Sequence, residues 1–67
     1  MSPADTLRTA AEHYRKAHES RMAAYCIRLA QFATTTPGDY AATAGMMLRN
    51  AERAHRSARV IAESGPR

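Results

Sequence analysis

The sequence predicts an all-α protein: an antiparallel two-helix hairpin, forming a single domain over residues 1–67, that pairs with a second copy into a dimeric four-helix bundle. Three observations predict it. Apolar residues in both halves recur at steps of three and four, as on one face of a helix and never as on a strand. The tetrads Ser2-Pro3-Ala4-Asp5 and Thr36-Pro37-Gly38-Asp39 each carry helix-start chemistry, and neither glycine nor proline interrupts the chain from Ala4 to Thr36.

The first helix is expected from about residue 3 to about residue 33. A Ser2 or Thr36 hydroxyl can cap a free backbone N–H, proline fits the first helical position without losing a hydrogen bond, and the aspartate meets the positive end of the helix dipole. The first seam is Leu7, Ala11, Tyr14, His18, Met22, Tyr25, Leu29 and Phe32. A short turn of about residues 34–36, the threonines Thr34-Thr35-Thr36, folds the chain back on itself. The second helix is expected from about 37 to about 63, with a seam of Tyr40, Ala44, Met47, Ala51, Ala54, Ala58 and Ile61 and a stop at Gly65-Pro66. Its alanines favour close approach of the backbones. Matches 34 residues apart, such as Thr9 with Thr43 and Arg15 with Arg49, reflect shared helix-start chemistry rather than a repeat fold.

Size points to a partner. A chain of 67 residues buries only about 60% of its unfolded surface, and a lone two-helix hairpin seldom holds together. From Met22 to Leu48 there are only two charged residues, Arg28 and Asp39, so the hairpin has an apolar loop-proximal end and a charged end. Met22, Tyr25, Ile27, Leu29, Phe32 and the Met46-Met47-Leu48 run form the expected protein interface, for a second copy or another protein. The formal net charge of +4 makes nucleic acid the alternative partner, through Arg49, Arg53, Arg56 and Arg59 on the outer face of the second helix. Interleaved acids at helical spacing (Glu12–Lys16, Glu52–Arg56, Glu63–Arg59) instead describe a solvated, ion-paired face.

The histidines raise a third reading, a metal-binding bundle. Glu52-Arg53-Ala54-His55 has the Glu-x-x-His spacing of dinuclear helical sites, and an antiparallel hairpin brings Glu19 level with Glu52. At about 100° per residue, however, Glu19 and Glu52 turn toward solvent. His18 falls on the seam beside Tyr14, where the two are expected to form a buried polar layer that fixes register. His13 falls on the outer face, with no role.

Other classes are disfavoured. One cysteine, Cys26, permits no disulfide framework or cysteine-based zinc module, and suits a reducing cytoplasm. The N-terminal residues lack the pattern of a signal peptide, and no apolar run is long enough to span a bilayer, so no membrane association is expected. Cys26 stands far from the histidines, Gly38, Gly45 and Gly65 make no phosphate loop, and no cofactor or enzymatic activity is expected. The expected function is a non-enzymatic interaction module or regulatory adaptor.

Overall fold

The structure is a computed structural model and describes residues 1–64. Among these the chain is all-helical, with three helices where two were expected: α1 (Pro3–Lys16), α2 (Ser20–Thr35) and α3 (Ala41–Ser64). The expected stop at Gly65-Pro66 lies outside the described residues. Of the two expected start signals the first acts as read. The Ser2 hydroxyl accepts a hydrogen bond from the Asp5 N–H at 3.1 Å, Pro3 opens the helix, and Arg8 donates to the Asp5 carboxylate at 3.1 Å.

The long first helix is corrected by a break at residues 17–19. Ala17 ends α1, His18 takes the left-handed conformation with φ 62°, and two crossed hydrogen bonds close the end. The Glu19 N–H donates to the Tyr14 carbonyl at 2.9 Å and the His18 N–H to the Arg15 carbonyl at 3.0 Å, the pattern of a Schellman cap. Glycine or asparagine normally marks this position, so a histidine gave no warning. The left-handed turn costs about 1–2 kcal/mol. Folding back offsets this cost, because it buries Ala23, Cys26 and Ala30 of α2 against α1, and burial contributes about 0.8 kcal/mol per CH2-sized group.

The strained position carries a prediction. His18→Gly is expected to raise stability by up to about 1 kcal/mol, whereas His18→Val lowers it. Chemical denaturation of the two variants checks this; if glycine lowered the midpoint, the left-handed cap would be wrong.

The second start signal also moves. Thr36 caps the end of α2, and α3 begins only at Ala41, where the backbone N–H donates to the Asp39 carboxylate at 3.1 Å. Pro37 and Gly38 lie in the connection. Gly38 has φ 156°, and a β-carbon there would press within 3.2 Å of the Tyr40 ring. Thr34 and Thr35, expected in the turn, close α2 by donating their hydroxyls to the Gln31 carbonyl at 2.8 and 3.0 Å.

Two chain reversals make the order up, down, up, with α3 running in the direction of α1. Helix α1 is the shared partner: α2 and α3 both pack along it and scarcely meet each other. The core is Ala4, Leu7, Ala10, Ala11 and Tyr14 of α1, Ala23, Cys26 and Ala30 of α2, and Ala44, Met47 and Ala51 of α3. Seven of these eleven are alanines, so close backbone approach replaces bulk. The molecule is 50 Å long but only 17 by 13 Å across. With 24 residues α3 spans about 36 Å against about 21 Å for the 14 residues of α1, and its last turns run on past the end of the bundle.

Candidate interaction surface

Helix α2 carries two apolar stripes and has a single close neighbour. Ala23, Cys26 and Ala30 face α1 and are buried. Beside them Met22, Tyr25, Leu29 and Phe32, at steps of three, four and three, fall on one face. Met22 and Leu29 lean on the core, while Tyr25 and Phe32 stand in solvent, Phe32 with 54% of its surface exposed. Together the four make a heptad-like seam that no other helix faces among the described residues.

The other residues expected at the interface divide. Ile27 is exposed but lies about 160° around α2 from Tyr25, so one flat partner cannot reach both. Consecutive positions on a helix point in different directions, and Met46-Met47-Leu48 accordingly separates: Met46 is exposed, Leu48 is half-buried against the core, and Met47 is a buried core residue. Met47 is therefore withdrawn from the interface.

The arginine face forms as a surface, since Arg49, Arg53, Arg56 and Arg59 are all exposed on α3. Of the expected ion pairs, Arg59–Glu63 forms at 3.9 Å, whereas Glu12 on α1 pairs with Arg15 at 2.9 Å rather than with Lys16. Among the described residues Arg49, Arg53 and Arg56 form no salt bridge.

The buried polar layer is not formed. Tyr14 is buried as expected, but His18 is exposed at the α1–α2 turn, and no polar side chain is buried among the described residues. The reason is the left-handed cap, which takes His18 off the helical face its spacing implied. Burial raises the Tyr14 hydroxyl pKa, with the charges of Cys26 and Glu19 adding to the rise and Arg53 opposing it. Cys26 is fully buried, and burial alone pushes its thiol up, which keeps it protonated and unreactive.

The three candidate metal donors do not converge. Glu19 is exposed at the start of α2 and Glu52 is half-exposed on α3, and no group of three or more His, Cys, Asp or Glu side chains suited to a metal occurs among the described residues.

His55 instead meets His13, which the sequence placed on an idle outer face. Their Nδ1 atoms lie 3.1 Å apart and their ring centroids 5.3 Å apart, joining α1 to α3. That centroid distance is close to the nitrogen separation plus the two ring radii, so the nitrogens meet head-on and one Nδ1–H donates to the lone pair of the other. Desolvation, then the neighbouring His13, Lys16 and Arg59, hold the pKa of His55 below its ordinary 6.5. Because the folded state binds this proton less readily than the unfolded chain, the contribution is whole above about pH 6.5 and is lost as the pH falls below it. The melting temperature is expected to drop between pH 7.5 and 5.5, and His55→Gln is expected to flatten that drop, above the range in which carboxylates titrate. An equal drop in the variant would clear the pair of the effect.

Among the described residues no helix is long and apolar enough to cross a membrane. The fold and its surface thus define a class, a small all-α chain with an unpaired apolar stripe on one helix and an arginine face on another. The chain matches no protein-family model, no curated protein and no solved structure.

Proposed function

We propose that this chain is a small non-enzymatic interaction module that self-associates and engages a protein partner through the apolar stretch expected at the loop end of a hairpin, which in this fold is the open face of α2. One observation carries the reading: Met22, Tyr25, Leu29 and Phe32 line up on the face of α2 that α1 leaves open. A seam of that spacing suits a second helix, and two copies packed back to back along α2 form the simplest closed assembly, a dimeric bundle. The adaptable Met22 and the two exposed aromatics suit a protein contact better than a polar ligand. The single buried thiol fits a cytoplasmic setting.

Sedimentation of the wild-type chain against Tyr25→Glu/Phe32→Glu tests the reading. The expected result is a dimer that the double substitution converts to a folded monomer, with Arg53→Glu/Arg56→Glu leaving it intact. A wild-type chain monomeric throughout the micromolar range would end the self-association.

The second reading, a nucleic-acid-binding regulator, is favoured by the three arginines that form no salt bridge, Arg49, Arg53 and Arg56. It requires binding to an oligonucleotide that weakens steeply with salt and collapses on the same charge reversal. Salt-insensitive binding would dispose of it.

A further inference from the structure

We infer that the free end of α3 is a docking face for an acidic amphipathic helix of a partner protein. This surface is carried by α3 beyond the end of α1, whereas the stripe described above runs along α2, and the inference does not rest on that stripe. The α3 seam of Ala44, Met47, Ala51 and Ala54 belongs to or packs on the core and runs on through half-buried Ala58 to Ile61. Helix α1 ends at Lys16, and with His13 level with His55 its last residue is level with about Ala58. Beyond that point no other described residue covers the seam: Val60 is 59% exposed and Ile61 is 68% exposed.

Two aliphatic side chains side by side in water at the end of a helix fit an apolar contact. What surrounds them specifies its chemistry. One shallow concavity beside Ile61 is lined by Arg53, Arg56, Ser57 and Val60, and another, on its other side, by Lys16, His18, Ala58, Arg59 and Ala62. Neither of these is lined by an acidic side chain among the described residues; a third, beside Val60, is lined by Arg56, Arg59 and Glu63, and there Glu63 is paired with Arg59 at 3.9 Å, so the basic side chains outnumber it. An aliphatic strip between guanidinium groups complements a helix with leucine-like residues on one side and carboxylates flanking them. A second copy of the chain does not supply that helix, because α1, α2 and α3 each carry at least as many basic as acidic residues and the whole chain is +4. Phosphate binding would account for the arginines but gives Val60 and Ile61 nothing to do.

The test uses the whole chain, isotope-labelled for amide NMR. It is titrated with a synthetic amphipathic helix about 18 residues long, leucine on one face and glutamate on the other, and with the same peptide carrying lysine for glutamate. The acidic peptide is expected to bind with shifts centred on residues 53–63, and the lysine peptide to bind at least about tenfold more weakly. Val60→Gln/Ile61→Gln keeps helix propensity and touches no core contact; it is expected to weaken binding by about tenfold or more. Arg53→Gln/Arg56→Gln is expected to weaken binding and reduce its salt dependence. Absence of binding, equal binding of the two peptides, shifts centred on Tyr25 and Phe32, or indifference to Val60→Gln/Ile61→Gln would each overturn the inference. So would a single-stranded oligonucleotide that occupies the same end with an affinity the Val60→Gln/Ile61→Gln change does not alter.

Discussion

Replacing Leu7 with alanine is expected to remove most of the stability of this protein. Leu7 is 1% exposed and lies on the inner face of α1, the helix against which both others pack. Its neighbours in the core are mostly alanines, which have no side-chain length to move into the space a leucine leaves. Leucine-to-alanine changes at buried sites cost about 2–5 kcal/mol, and the cost is greatest where the surroundings cannot collapse. A 67-residue chain has about 3–10 kcal/mol in total. The variant is expected to melt at least about 10 °C lower, or to be unfolded at 37 °C. Arg8→Ala, one position along, is the control. The Arg8–Asp5 pair spans 3.1 Å with both side chains more than half exposed, and its loss is expected to cost under about 0.5 kcal/mol. If the two substitutions cost the same, α1 is not the central helix.

The second large effect comes from adding volume. Ala51 is fully buried on α3, on the face that meets α1, and belongs to a core built of small side chains. Ala51→Leu puts three further carbons where the backbones approach closely. The helix must then shift or strain its rotamers, at about 1–3 kcal/mol. Ala42→Leu, exposed on the same helix, adds the same atoms with little change in helix propensity and is expected to be near neutral. Urea unfolding separates the two, and a tolerated Ala51→Leu would mean that α3 is not held closely to α1.

Both expectations turn on which helix lies at the centre, and here the sequence and the structure divide. The periodicity of Leu7, Ala11 and Tyr14, and that of Ala44, Met47 and Ala51, identified buried faces on α1 and α3 without any tertiary information, because a helix that buries one side must repeat its apolar residues every three to four positions. Ser2-Pro3 was equally legible as a helix start, because capping is a local interaction between neighbouring groups. The threonine-proline signal at Thr36-Pro37 shows the limit of local reading. The same residues can cap or connect, and Asp39 opens α3 instead.

The surface was legible as composition but not as geometry. Tyr25 and Phe32 were read both as part of the first helical seam and as part of a protein interface; they stand in solvent, because α2 turns Ala23, Cys26 and Ala30 toward α1 instead. Met47 entered the same group only because it adjoins Met46, although one helical step of about 100° separates an exposed residue from a core residue. The His13–His55 contact had no signal at all, since 42 residues separate the partners and only the packing of α3 on α1 brings them together.

What the sequence by itself determined is that this chain is helical, which faces of α1 and α3 are apolar, and that its charge is gathered away from the loop. Tertiary structure alone decided the number of helices. His18 enters the left-handed region not by intrinsic preference but because reversing the chain there lets α2 bury Ala23, Cys26 and Ala30 against α1. That gain is realised only between segments distant in sequence, so no local pattern announces it. The same reversal shortens α1, leaves Ile61 uncovered and takes His18 out of the core.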